Sequence, residues 1–282
     1  MQDAFSHCER VVRDRDRDRF IADLFAPAAR RGALHAIHAF ATEIARVREL
    51  VTAPIAGEIR LQWWHDALTG AGHGEVRAHP IAAALLQTVE RHRLPLPPLL
   101  AMIEARRFDL YDEPMQSLEQ LEQYVEQTAA GPMGCAVQVL TESVPGDVPA
   151  PVRHAGIAYG LTELLRTLPW HAAHGRSYVP LEVLQRHGAD PEILFAGTST
   201  DALRAALAEL RAVARRHLAA ASGLSAALPA SAGPALLPVA LVPAWLDRMD
   251  RSRDPFQPPS LPAWRRQWIM WRAAGDPLNV KS

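Results

Sequence analysis

The sequence predicts an all-α fold, on three observations. Apolar residues recur at helical spacing in segment after segment, no stretch sustains the β-branched alternation of a strand, and Ala, the strongest helix former, is frequent throughout. The clearest repeat is LRAALAELRAVARRHL. There Leu203, Leu207, Leu210, Ala214 and Leu218 share one face, while Arg204, Glu209, Arg211 and Arg215 point away. Thr200 or Ser199 supplies its cap, and Asp201 in the first turn complements the helix dipole.

The same period runs through the rest of the chain. Helices are expected over residues 30–50, 55–69, 115–141 and 152–170, surrounding a largely apolar cavity. Leu34, Ile37, Phe40, Ala41, Ile44 and Val47 give the first of these its inner face, and Trp63 and Trp64 are expected in the core. The alternating RDRDRDR from Arg13 to Arg19 reads as a solvated helix face laced with ion pairs. Asp14 and Asp18 have the i, i+4 spacing of a metal pair, but the interleaved arginines neutralise it. Breaks fall at Gly70–Gly74, Pro95–Pro98, Val144–Pro151 and the Pro-rich run from Pro229 to Pro262. None is long or polar enough for an interdomain linker, so residues 1–282 are expected to form one domain.

Composition narrows the function classes. Apolar residues make up 49% and charged residues 22%, the balance of a folded soluble chain. A net charge of −1 removes bulk basicity as a basis for nucleic-acid binding. Cys8 and Cys135 are too few for a disulfide framework, which points to a reducing compartment. The N-terminus has no apolar core of a secretory signal, and no uncharged apolar run reaches the length of a membrane span. A cytoplasmic location is expected, at the inner face of the cytoplasmic membrane if the chain touches a bilayer.

Four segments in order carry a family likeness: LHAIHAFATEIARVREL, IRLQWWHDAL, FDLY with LEQYVEQTAAGPMG, and GLTELLRTLPWHAAHGRSYVPLEVL. Together they resemble the squalene/phytoene synthase family over roughly residues 5 to 275. The resemblance implies an isoprenoid-synthase-like helical bundle with a central cavity. In such enzymes carboxylates on facing helices hold Mg²⁺ against an allylic diphosphate. The first acidic motif falls here on Ala45, Arg46 and Glu49. The second falls on Thr167, Trp170 and His171, with Arg166 before it and Gly175, Arg176, Tyr178 and Pro180 after it. Only Glu49 of the six remains acidic. Glu43 is no substitute, because two residues turn a helix by about 200°. Trp170 fills volume where a metal and its waters would sit, and Pro169 kinks or ends the helix. No catalytic residue and no metal ligand is therefore assigned. Arg166, Arg176 and Tyr178 remain as candidates for holding a diphosphate or lipid without metal.

The same loss of acids marks a branch of that family which includes the mitochondrial assembly factor for respiratory complex I. The stretches DLFAPAARRGALHAIHAFATEIARV and IRLQWWHDAL are similar to it. That likeness implies a protein assisting assembly of the NADH:quinone oxidoreductase at a membrane, with complex I subunits or assembly intermediates as partners and no cofactor. Two rival readings stay open: a Mg²⁺-dependent prenyl transferase or hydrolase, and an isoprenoid or lipid carrier.

Other residue groups offer less. Asp109, Asp112 and Glu113 in FDLYDEP read as a polar helix end before Pro114. His35 and His38, like His171 and His174, stand at i, i+3 with no third ligand nearby in sequence. Cys8 and Cys135 fit no nucleophile pattern, and there is no Gly-rich phosphate loop. Trp264, Trp268 and Trp271 form one stripe beside Arg265, Arg266 and Arg272. The stripe is expected to dock on the bundle as a last helix, the alternative being an interfacial helix with indoles at the headgroup level.

Overall fold

A computed structural model describes residues 2–72, 74–111, 113–142 and 146–279, and these are helices and turns with no strand among them. The chain opens with α1 (Gln2–Arg15) and α2 (Arg17–Asp23), which are separated at Asp16. Asp16 caps α2 by accepting from the Arg19 amide, so the alternating Arg/Asp run is split between two helices. Ion pairs form, but the expected solvated face holds only for Arg13–Asp14: Arg19 bonds Asp16 and Asp18 bonds Arg266 at 2.6 Å, both pairs largely withdrawn from solvent. Next come α3 (Ala28–Ala45), α4 (Pro54–Thr69), α5 (Pro80–His92) and α6 (Leu96–Arg107). Leu34, Ile37, Phe40 and Ile44 make α3 a buried central element, wrapped by α1, α5 and α8 (Gly131–Thr141). Trp64 is buried against Phe40, with ring centroids 5.0 Å apart, as a core role requires.

The predicted helix over 115–141 is continuous but not regular. It runs as α7 (Leu118–Val125), a π-turn at Glu126–Ala130, then α8. Pro132 has no amide to give Thr128, and its ring would clash with that carbonyl in an α-turn, so the widened turn absorbs the mismatch. The second central helix, α9 (Ala150–Arg166), crosses this turn and packs along α13 (Asp201–Gly223). Beyond α9 lie α10 (Leu168–Ala173), α11 (Leu181–Arg186) and α12 (Glu192–Phe195). After α13 come α14 (Gly233–Leu236), α15 (Val242–Arg251) and α16 (Ala263–Ala273).

Three sequence expectations are corrected. The helix expected over 30–50 ends at Ala45, and Val47–Leu50 tightens into a 3-10 turn before extended Val51. The helix expected over 152–170 ends at Arg166, because Pro169 has no amide to give the Leu165 carbonyl, and a separate helix, α10, begins at Leu168. The Trp stripe does not dock: Trp264, Trp268 and Trp271 are 69%, 53% and 61% exposed. α16 docks through its other face, where Met270 and Ala273 join Leu237, Leu241 and Trp245 in a small satellite core. Ala230–Arg251 has the length and apolarity to cross a membrane, although it carries charges near its end, yet 67% of its most apolar stretch is buried in the bundle.

The crossing of α9 over the π-turn depends on Gly156, where an added Cβ would lie 2.3 Å from the Ala130 Cα. Gly223, at the end of α13, has open space around it. Gly156→Ala is expected to lower unfolding free energy in urea by about 2–4 kcal/mol, and Gly223→Ala to leave it within about 1 kcal/mol.

Candidate functional site

The motif positions lie where α3 and α9 end. Ala45 is the last residue of α3, Arg46 caps it, and Glu49 sits in the 3-10 turn that follows. Arg46 and Glu49 face each other at 3.4 Å and are partly solvated, so each is partnered locally. Thr167 forms the joint between α9 and α10. Its hydroxyl bonds the Glu163 carbonyl at 2.7 Å and lies 3.0 Å from His171 Nε2. Trp170 is 40% exposed and packs on His171 and His174.

The three candidate diphosphate ligands go to different tasks. Arg166 forms a two-point pair with Glu163, at 3.0 and 2.5 Å, and stacks 5.1 Å over the Trp245 ring. Arg176 lies over the Trp170 ring at 5.9 Å. Tyr178 is buried and donates to Asp109 Oδ1 at 2.7 Å. Of the three, only Tyr178 lines the apolar pocket between α7, α9, α10 and α13, together with Leu121, Leu161, Leu168, His171 and Leu210. The free volume of this pocket is about 10 Å³, the threshold for a single water. Small-molecule sites occupy roughly 300–1,000 Å³, well above this volume; the adjoining cavity that shares Leu165 and Leu168 and reaches Arg204 and Arg211 measures about 230 Å³.

Behind Tyr178 lies a polar cluster that the sequence did not disclose. Asp109 is not a solvated helix end: it is 8% exposed in the turn closing α6. Its carboxylate accepts from Tyr124 at 2.8 and 3.0 Å, from Tyr178 at 2.7 Å, and from Arg106 at 3.0 Å. Arg106 also donates to the Tyr124 hydroxyl at 2.6 Å. Burial and the Asp109 charge drive both phenols to higher pKa, so they stay donors at neutral pH. His171 meets the edge of Tyr178 at 4.9 Å, and burial pulls its pKa down to about 4, with Asp109 opposing and Arg176 assisting. The cluster is thus a neutral imidazole beside a carboxylate already saturated by donors. It offers no free ligand for a hard cation. Asp112 lies outside the described residues, and Glu113 is exposed.

The histidine pairs also differ from expectation. His35 and His38 do have a carboxylate beside them: Asp23, 1% exposed, lies 3.6 Å from His35 Nε2 and 3.4 Å from His38 Nε2. Sequence spacing does not reveal it, because Asp23 stands in a separate helix and is brought in by the α2–α3 turn. Among the described residues, no three His, Cys, Asp or Glu side chains form a metal-holding group. Cys8 and Cys135 are buried, and burial pushes both thiols up to about 12, which leaves them inert at neutral pH.

Two measurements follow from this geometry. Asp109→Ala strands the buried Arg106 guanidinium and is expected to cost about 3–5 kcal/mol in urea unfolding, against about 1 kcal/mol for Tyr178→Phe. For His171, the folded state binds its proton more weakly than the unfolded chain does. Stability is therefore lost as pH falls from about 6.5 toward 4, by on the order of 2–3 kcal/mol. His171→Leu is expected to flatten the acid limb of a stability–pH profile by that amount.

Comparison with known proteins fits this geometry to a lineage. The sequence profile of the family described as squalene/phytoene synthase matches residues 12–272. A Rattus norvegicus protein, "NADH dehydrogenase (ubiquinone) complex I, assembly factor 6", is 28% identical over 88% of this chain and 74% of its own length. A 15-cis-phytoene synthase of Synechococcus elongatus is 30% identical over 73% of this chain and 70% of its own. Among solved structures, a dehydrosqualene synthase in complex with ligand superposes with a TM-score of 0.81 at 19% identity. That match covers 96% of this chain and 95% of the other, and at such identity it establishes the all-α isoprenoid-synthase fold alone.

Proposed function

The chain belongs to the squalene/phytoene synthase family, and from that membership we propose that it is a non-catalytic member that assists assembly of the NADH:quinone oxidoreductase at the cytoplasmic membrane. The observation that carries this reading is the loss of carboxylates at the motif positions, at the ends of α3 and α9. At the second acidic motif this chain has Thr167, Trp170 and His171 in place of carboxylates, and the pocket that His171 and Tyr178 line leaves about 10 Å³ of space. Ionising an allylic diphosphate needs its departing charge neutralised by fixed cations, usually the largest catalytic contribution. Glu49 is the one acid left among the six positions, and it faces Arg46. The relatives named as complex I assembly factors, in mammals and in Dictyostelium discoideum and Drosophila melanogaster, supply the direction of the proposal. The bundle then acts as a folded surface for subunits or assembly intermediates, and no cofactor takes part.

Two assays test it. Purified protein given farnesyl or geranylgeranyl diphosphate, Mg²⁺ and NADPH is expected to release no pyrophosphate above a no-protein control. Deleting the gene in its host is expected to leave the NADH:quinone oxidoreductase in subassemblies on native gels, restored by the intact gene. Turnover on the order of 1 s⁻¹, or normal oxidoreductase levels in the deletion strain, overturns the proposal.

A further inference from the structure

The outer face of α16 is unused by the fold. At 100° per residue, Arg266, Ile269, Met270 and Ala273 form one side of the helix and Trp264, Trp268 and Trp271 the opposite side. The first side holds the helix in place: Met270 and Ala273 are buried in the satellite core, and Arg266 bonds both Asp18 oxygens at 2.6 Å. The second side carries three indoles, all more than half exposed, with Trp268 and Trp271 stacked at 5.1 Å. Holding that much aromatic surface in water brings the fold nothing, and contiguous exposed apolar groups of this kind mark a contact surface.

The chemistry of the flanks says what the contact is. Arg265 and Arg272 fall on one edge of the Trp stripe, both exposed and with no ion-pair partner among the described residues. α16 contains three arginines and no acidic residue. Tryptophan and arginine also occur together at protein interfaces, but a helix with unpaired guanidiniums along one edge and no acid complements a continuous sheet of phosphates. Indoles edged by unpaired arginines match a lipid surface, the rings lying at the headgroup–acyl boundary and the guanidiniums on phosphates. We propose that α16 is a monotopic anchor that lays Trp264, Trp268 and Trp271 into an anionic bilayer surface, with Arg265 and Arg272 on lipid phosphates. Met270, Ala273 and the Arg266–Asp18 pair hold it to the bundle in that pose. The proposal stands on α16 alone and does not depend on the assembly role.

Flotation of the full-length protein with vesicles tests it. One set is phosphatidylcholine alone, the other phosphatidylcholine with phosphatidylglycerol. The intact chain is expected to float with the anionic set and show a blue-shifted Trp emission. The triple variant Trp264→Ser/Trp268→Ser/Trp271→Ser is expected to bind at least about tenfold more weakly with an unchanged thermal midpoint. Arg265→Gln/Arg272→Gln is expected to lose the preference for anionic over neutral vesicles. Equal flotation of the intact and triple-Ser proteins overturns the proposal. So does a triple variant whose melting falls with its binding, which makes the indoles structural. Absence of vesicle binding together with Trp-dependent self-association in light scattering assigns the face to a protein contact and also overturns it. If vesicles bind as expected but the deletion strain assembles normally, the anchor stands and the assembly role falls.

Discussion

Of the two buried carboxylates in this bundle, Asp23 and Asp109, it is Asp109 that ties separate elements together. A charge such as that of Asp109 is tolerated away from water only when donors surround it, and this chain supplies Tyr124, Tyr178 and Arg106. The donors come from three places: the end of α6, the last turn of α7, and the segment after α10. Satisfying Asp109 therefore fixes how those elements meet. It also draws Tyr178 and His171 inward, and their rings fill one side of the pocket beside α9 and α13. The same contacts occupy the Asp109 carboxylate with donors and narrow the pocket beside it to about 10 Å³.

Five of the six positions where acids would be expected have local partners within the fold. Arg46 pairs with Glu49, Thr167 ties α9 to α10 and meets His171, and Trp170 covers His171 and His174. Arg166 is held between Glu163 and Trp245. The family frame persists in the Gly175 turn, with its φ of +69°, and in Tyr178 beyond it. What would remain for such a chain is its surface: a stable helical body with an aromatic, basic outer helix and extensive faces for partners.

Much of this was legible in the sequence, and the failures have specific causes. Apolar period located the helices because burial of one face dictates it. It could not show the π-turn, which arises from the local conflict at Pro132, nor the early end of α3 at Ala45. The loss of acids was visible residue by residue. The fate of Asp109 was not, since its partners Tyr124 and Tyr178 lie 15 and 69 residues away. Asp23 was separated from His35 and His38 in the same way, by a turn that only the fold closes. For α16, spacing revealed an aromatic stripe but not its direction. The modest pair Met270 and Ala273 took the docking side, because their small or flexible side chains allow the close approach that three indoles would block.

The central claim is that this fold retains the family's bundle without its metal-assisted recognition of prenyl diphosphates. Calorimetric titration of farnesyl thiodiphosphate, a non-ionising analogue, into the intact protein with and without Mg²⁺ tests it most directly. The geometry predicts no Mg²⁺-dependent heat and no saturable binding at ligand concentrations up to about 1 mM. Saturable binding near about 1 μM that disappears on chelating Mg²⁺ would contradict it, since it would require both metal ligands and a chain-sized cavity to form.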